Sequence, residues 1–303
     1  MPGSGPGFDP ENKGTAGLRT AFVFPGQGSQ FVGMGKGLAE GLLDEANAIL
    51  GFDIKKICFE GPEEELKKTE ITQPAILTVS VAAYGHLKKK PDAVAGHSLG
   101  EYSALVAAGS LAFKDAVKIV YLRGKFMQEA VPLGQGAMSA VLGVSRDKMV
   151  EICRQVGNVQ PANFNSPDQV VISGAAEAVK LAGQKLKEAG AKKVIPLMVS
   201  APFHSQMMEP AAKKLAVELD QIEIKDADIP VMDNVTAEYV TKGSAIRDLL
   251  IRQVTGSVLW EDSIRKMIEA GIEEFIEVGP GKVLSGLIKK IDPKVGVKTY
   301  DEA

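Results

Sequence analysis

The 303-residue chain is poor in the residues that carry redox and metal chemistry, with two cysteines, three histidines and one tryptophan. Cys58 and Cys153 stand far apart with no ligand-like neighbours, so the sequence offers neither a disulfide framework nor a thiolate metal site. His86, His97 and His204 fall in no H-x-x-H or HExxH spacing, which argues against a histidine-held metal. No apolar run approaches the length of a membrane span, and no signal-type apolar segment opens the chain. An excess of one charge is missing too: 35 Lys and Arg against 38 Asp and Glu leave a formal net charge of −3. That balance makes no global field to draw nucleic acid or an anionic membrane. The expectation is a soluble, cytoplasmic monomer with no metal, no cofactor, no nucleic acid and no membrane among its partners.

What is present is ordinary globular composition, 45% apolar and 24% charged, in a chain long enough to bury a large core without staples. Residues 1–18 are aperiodic and rich in Gly and Pro, and read as a flexible leader. From Thr20 onward, β-like runs alternate with helical spacing. Thr20–Phe24 reads as a strand stopped by Pro25-Gly26, and Ala93-Val94-Ala95 as another. Leu38–Leu50, Ile71–Tyr84, Glu101–Ala108 and Asp115–Ala130 read as helices. The alternation predicts an α/β body with a mostly parallel sheet.

The middle of the chain changes character. Ala137–Val144, Val159–Asn163, Gln169–Ser173 and Lys193–Val199 read as strands. Helices are expected over Arg146–Val156, behind Ser145 as candidate cap, and over Ala176–Ala189. The order β-α-β-β-α-β is that of the split-βαβ or ferredoxin-like unit. The expected organisation is therefore a large α/β-hydrolase-like catalytic subdomain over 19–130 and 201–303, with a small ferredoxin-like subdomain inserted over 131–200. Met207–Leu219, Ala245–Val254, Trp260–Ala270 and Val283–Ile291 supply further helices. Val231-Met232 and Glu274–Val278 supply further strands.

Gly96-His97-Ser98-Leu99-Gly100 has the G-x-S-x-G form, with a strand before it and a helix after it, the context in which that motif presents a nucleophile. The following helix N-terminus offers unpaired N–H groups and positive partial charge where an oxyanion would form. A serine hydroxyl needs a neighbouring base. His97 adjoins Ser98 on the turn, so its side chain leaves in another direction. His86 ends a helix beside Lys88-Lys89-Lys90 and reads as a solvated cap. His204, in Ala201-Pro202-Phe203-His204-Ser205, lies where the chain returns from the inserted unit, a place that commonly lines a cleft. His204 is the expected base. Gly26-Gln27-Gly28 is no dinucleotide fingerprint, because Phe31 stands where a third glycine would fall.

Several stretches taken together resemble the malonyl-CoA:acyl carrier protein transacylases of type II fatty acid synthesis. They are Phe24-Pro25-Gly26-Gln27-Gly28-Ser29-Gln30, Gly96-His97-Ser98-Leu99-Gly100-Glu101, Arg123-Gly124 with Met127-Gln128, Asn163-Phe164-Asn165-Ser166-Pro167, Ala201-Pro202-Phe203-His204-Ser205 and Glu277-Val278-Gly279-Pro280. They fall in the family's order and span about residues 20 to 295. The resemblance implies that Ser98 attacks the thioester with His204 as base, and that the backbone N–H groups of Gln27 and Leu99 form the oxyanion hole. It implies that Arg123 grips the malonyl carboxylate, for which a guanidinium fork is the natural partner. It also implies that the Gln253 carbonyl, in place of an aspartate, orients the histidine. Gln73 and Asn163 would line the pocket or its approach, and Phe203 with Leu99 would crowd a branched acyl group. Malonyl-CoA would be a substrate and an acyl carrier protein the partner. Lys192 and Lys193, or Lys118 and Lys125, are candidates for the docking patch. One departure stands out: the family's Gln-x-x-x-Pro-Val-x-Trp segment here reads Gln253-Val254-Thr255-Gly256-Ser257-Val258-Leu259-Trp260, which predicts a looser turn after Gln253.

Two other classes fit parts of the pattern. A serine thioesterase or esterase uses the same elbow, and a non-catalytic acyl-binding subunit would keep the pocket alone. An arginine in the acyl site argues against a hydrolase of neutral acyl groups.

Overall fold

The computed structural model describes residues 19–199 and 201–303. The leader expected over 1–18 lies outside the described residues, as does Ser200. The first strand, β1 (Thr20–Phe24), is buried along its whole length. Its side chains divide by the two-residue period of a strand: Phe22 and Phe24 enter one apolar cluster, Ala21 and Val23 another. A strand buried on both faces needs helices on both, and the chain supplies them. Helices α1 (Glu40–Leu50), α2 (Ile54–Glu60), α3 (Glu63–Leu66) and α4 (Thr69–His86) precede β2 (Ala93–Gly96), and α5 (Gly100–Ala107) and α6 (Phe113–Glu129) follow it.

Then come β3 (Gly136–Leu142), α7 (Arg146–Val156), β4 (Val159–Ser166), β5 (Gln169–Ala175), α8 (Ala176–Glu188) and β6 (Lys193–Pro196). The body resumes with α9 (Glu209–Leu219), β7 (Val231–Met232), β8 (Tyr239–Val240), α10 (Gly243–Thr255), α11 (Trp260–Glu269), β9 (Glu274–Glu277), α12 (Val283–Ile291) and β10 (Gly296–Thr299).

The larger sheet has the order β10-β9-β1-β2-β7-β8. Pairing is parallel from β10 through β7, and β8 runs antiparallel to β7. This is the mostly parallel α/β sheet expected. The second sheet is antiparallel, in the order β4-β5-β3-β6. Its α7 and α8 bury Met149, Ile152, Val179 and Leu186 against Val141 and Ile172, giving this sheet a core of its own. The two sheets are joined along one seam, where Phe164 N–H donates to the Val258 carbonyl (2.9 Å) and Val258 N–H to the Ala162 carbonyl (2.8 Å).

Most elements match their expected spans to within a few residues, but some do not. The short α2, α3, β8 and β10 were not foreseen. Ser145 stands at the start of α7 yet its side chain caps nothing. The helix starts on backbone alone, from Met149 N–H to the Ser145 carbonyl (3.0 Å), and the Arg146 guanidinium ties its first turn to Asp262 at 2.7 Å.

Candidate active site

β2 ends at Gly96, and the chain turns through His97 and Ser98 into α5. A Cβ at Gly96 would stand 1.9 Å from the Gly100 carbonyl carbon, and one at Gly100 would stand 2.0 Å from the Phe24 carbonyl oxygen. The turn closes only on glycines. Ser98 itself is held at φ 52°, a left-handed conformation that a serine rarely adopts. This is the strained strand-to-helix elbow that lifts a nucleophile off the end of a sheet.

Ser98 Oγ lies 2.7 Å from His204 Nε2. His204, on the loop between β6 and α9, is 3% exposed and also left-handed, at φ 55°. Its Nδ1 faces the Gln253 carbonyl at 2.9 Å and the Gly256 carbonyl at 3.2 Å. Both neighbours can only accept, so the ring proton sits on Nδ1 and the lone pair of Nε2 faces the serine hydroxyl. Gln160 of β4 anchors the loop by donating to the carbonyls of His204 and Thr255, each at 3.1 Å. The turn after Gln253 is firmly held: Gly256 N–H donates to Arg252 (2.9 Å) and Ser257 Oγ to the Pro161 carbonyl (2.7 Å). Without the proline, the turn is fixed by these bonds, and its Gly256 carbonyl becomes a second acceptor for the histidine.

Arg123 projects inward from α6 and is 1% exposed. Its guanidinium donates to Gln73 Oε1 (2.9 Å), Gln253 Oε1 (3.0 Å) and Ser98 Oγ (3.2 Å) and lies 5.6 Å from the centre of the Tyr102 ring. Among the described residues no carboxylate forms an ion pair with it. Burial foremost, then the Arg123 charge, pulls the His204 pKa down from 6.5 to about 3. The imidazole is thus a neutral base across the physiological range.

The group opens into a cavity of about 280 Å³ between the ends of the two sheets. Gln27, Gln73, Ser98, Leu99, Arg123, Phe203 and His204 line it from the large body, and Met138, Ala140, Asn163, Asn165 and Val171 from the small sheet. Val283, Leu284 and Leu287 of α12 close one wall, anchored where buried Glu277 accepts the Leu284 and Ser285 N–H groups at 3.0 and 2.7 Å. The backbone N–H groups of Gln27 and Leu99 donate to no acceptor among the described residues.

All nine residues singled out from the sequence therefore converge, eight on the cavity and Gln253 behind it. His97 turns away from Ser98: its Nε2 meets Asn165 Oδ1 at 2.8 Å and its ring lies 5.5 Å from Trp260. His86 is exposed and caps a helix end on the Ala82 carbonyl (2.8 Å), as expected. Sequence reasoning missed Asn234, Gly256 and Gln160, which touch the elbow or the histidine loop. It quoted Glu101 without giving it a role. Lys118 and Lys125 are exposed on the outer face of α6, opposite in burial to Arg123. Lys192 and Lys193 lie at the Leu142 end of β6, away from Leu197 and Val199 at the cavity. Among the described residues no group of three or more His, Cys, Asp or Glu is placed to hold a metal, and no helix is long and apolar enough to cross a membrane.

A cavity over a serine–histidine pair with a buried arginine, on a mostly parallel sheet with an inserted antiparallel one, defines a class that comparison with known proteins makes explicit. Residues 21–299 match the acyl transferase domain, and the chain belongs to that family. Malonyl CoA-acyl carrier protein transacylase of Bacillus subtilis is 52% identical over 290 residues, 91% of this chain and 92% of that protein. Its counterpart in Escherichia coli K12 is 51% identical over 284 residues, 89% and 92% of the two chains. Among solved structures, an acyl carrier protein S-malonyltransferase from Vibrio cholerae superposes with a TM-score of 0.91 at 44% identity, covering 93% of this chain and 96% of its own. A malonyl-transacylase in complex with the acyl carrier protein of a type II polyketide synthase superposes with 0.89 at 45% identity, covering 93% and 94%.

Proposed function

We propose that this chain transfers malonyl from malonyl-CoA to the phosphopantetheine thiol of an acyl carrier protein through a covalent malonyl-Ser98 intermediate. The observation that carries the reading is Arg123: a buried guanidinium 3.2 Å from the Ser98 hydroxyl that His204 faces. A cation in that position has a use when the acyl group itself ends in a carboxylate.

In the first half-reaction His204 Nε2 takes the Ser98 proton as Oγ bonds to the thioester carbon. The carbonyl oxygen gathers charge beside the free N–H groups of Leu99 and Gln27, the arrangement of an oxyanion hole. The carbon–sulfur bond breaks, and His204 returns the proton to the departing CoA sulfur. The carrier thiol then gives its proton to His204, attacks the malonyl-Ser98 ester and takes the malonyl group, restoring the serine. Arg123 holds the distal carboxylate throughout, and its Ser98 contact gives way as Oγ becomes the ester oxygen. Asn163 and Phe203 shape the acyl and pantetheine channel, and the Gln253 carbonyl keeps the imidazole in its reactive tautomer. No resident cofactor is needed, CoA being part of the substrate. We place the protein in the cytoplasm as a monomer; its free, buried Cys58 and Cys153 accord with a reducing compartment.

The test is incubation with malonyl-CoA followed by intact mass measurement. An adduct of one malonyl group, stable until a carrier protein is added and missing in Ser98→Ala, is the expected result. Release of malonate without carrier would make the chain a hydrolase, and no adduct at all would leave it a binding subunit.

A further inference from the structure

The main chain of Ser98 is held from behind by a side chain with no part in the proton transfers. Asn234 lies just past β7 and is 1% exposed. Its Oδ1 accepts the Ser98 N–H at 2.7 Å and its Nδ2 donates to the Gly96 carbonyl at 2.7 Å, so one planar amide spans the elbow on both sides of its turn. Asn234 is itself seated: its N–H donates to Glu101 Oε2 at 3.2 Å, and its carbonyl accepts the Leu259 N–H at 2.8 Å. Gln253 Nε2 closes the ring, donating to Glu101 Oε2 at 2.8 Å, to the Ser98 carbonyl at 3.1 Å and to Asn234 Oδ1 at 3.3 Å. The carbonyl of that same Gln253 receives His204 Nδ1. A serine in the left-handed region persists only where its surroundings over-determine it, and here four residues from separate parts of the chain do so.

We infer that Asn234, seated on Glu101, is the positioning residue of this site: it fixes the left-handed elbow and, by occupying the Ser98 amide, leaves Leu99 and Gln27 as the backbone donors to the oxyanion. The inference rests on the reading of Ser98 as nucleophile. In an elbow without such a clamp the Ser98 N–H would be free to compete for the developing charge. Here that N–H points away, into an amide oxygen. The seat is built for a carboxyl with little charge: burial foremost, and Asp233 beside it, push Glu101 up to about 8. Glu101 and Asn234 touch no substrate on this account. They act through the geometry of Ser98 and, by way of Gln253, of His204.

The probe is a small fluorophosphonate, whose fluoride is displaced from phosphorus by Ser98 Oγ while His204 takes the serine proton. It reads serine reactivity without asking for malonyl or a carrier. Asn234→Ala should label about 10²-fold more slowly, the usual cost of a reacting group misplaced by an ångström. Its KM for malonyl-CoA should stay near the wild-type value, because Arg123 and Gln73 are untouched. Asn234→Asp preserves shape and supplies a readout that a merely structural role would not move. The groups around position 234 are Glu101 on α5, Asp233 beside it and, across Gln253, Arg123 on α6 and His204. A neutral aspartic acid there accepts from Ser98 and donates to Gly96 as the amide does; an ionised one turns a second acceptor against the Gly96 carbonyl. Below about pH 7, where Glu101 keeps its proton, labelling of Asn234→Asp should therefore approach wild type in acid and fall as pH rises, while wild type, its His204 already neutral, stays level. Wild-type labelling rates in Asn234→Ala, or a pH profile of Asn234→Asp parallel to wild type, would overturn the clamp. If the alanine variant does not fold, the aspartate profile decides alone. Normal phosphonate labelling without malonyl transfer would count against the proposed function and leave the clamp standing.

Discussion

Replacing Arg123 with alanine should change which acyl group this protein accepts far more than how fast it acylates. The guanidinium is buried, and a malonyl carboxylate brought into the cavity without it would be an unpaired buried charge. Truncating one partner of such a pair costs about 2–5 kcal/mol, or roughly 30- to 4000-fold in kcat/KM at 1.4 kcal/mol per decade. Acetyl-CoA brings no carboxylate and escapes that cost. The substitution also strands the Gln73 and Gln253 amide oxygens, each now bonded to Arg123, which lowers stability by about 1–3 kcal/mol per acceptor left dry. The acetyl rate in the same variant absorbs any such loss. The measurement is single-turnover formation of acyl-Ser98 with malonyl-CoA and with acetyl-CoA, followed by intact mass. It is run near pH 8 because removing the Arg123 charge lifts His204 back toward its ordinary 6.5. The ratio of malonyl to acetyl rates should collapse in Arg123→Ala. A parallel fall of both rates in a fully folded variant would refute the argument and make Arg123 a support for Ser98 and Gln253 only.

Four further outcomes are expected. Because His204 is held neutral down to about pH 3 and Glu101 keeps its proton below about 8, acylation by malonyl-CoA should stay level from pH 7 to below 5, with no inflection near 6.5, and His204→Ala should slow it about 10²–10⁴-fold. The linked stability runs the same way: the unfolded chain protonates this histidine below 6.5 and the folded chain does not, so unfolding becomes easier as pH drops from 6.5 toward 3, measurable by thermal melts. Lys192 and Lys193 stand at the end of β6 away from the cavity, so if the body of an acidic carrier protein reaches that end, Lys192→Glu with Lys193→Glu should slow transfer to it and flatten its salt dependence while leaving loading from CoA nearly unchanged; equal slowing of both half-reactions, or of neither, would remove the pair from the docking surface.

What could be read in the sequence was whatever local pattern enforces. β1 was legible because five buried residues end at Pro25-Gly26, and the elbow because Gly96 and Gly100 are the residues its closure demands. α12 was legible from the spacing of Leu284, Leu287, Ile288 and Ile291. β8 and β10 left no such mark: two and four residues long at the edges of the sheet, they are half exposed and show no apolar run. Asn234 was illegible for a different reason. Its partners Ser98 and Glu101 lie 136 and 133 residues away, and an asparagine two residues past a two-residue strand looks like any turn. The missing proline before Val258 suggested a slack turn because local chemistry said nothing of Pro161, whose carbonyl takes the Ser257 hydroxyl across the seam.

That seam has a consequence for how such a molecule can change. On the proposed mechanism the atoms that form or break bonds in this protein belong to Ser98 and His204, both on loops of the larger body. The floor against which an acyl chain would rest is Met138, Ala140, Asn163, Gln169 and Val171, all on the antiparallel sheet. The two are stitched by the paired backbone bonds of Val258 with Ala162 and Phe164, by the Ser257 hydroxyl and by the ion pair of Arg146 with Asp262. The reacting pair and Arg123 thus sit on one piece of chain and much of the cavity floor on another, and the two meet along this border. Grafting a foreign antiparallel sheet with that border, Gln160 and Asn165 kept is a route to a new cavity floor beneath an unchanged Ser98, His204 and Arg123.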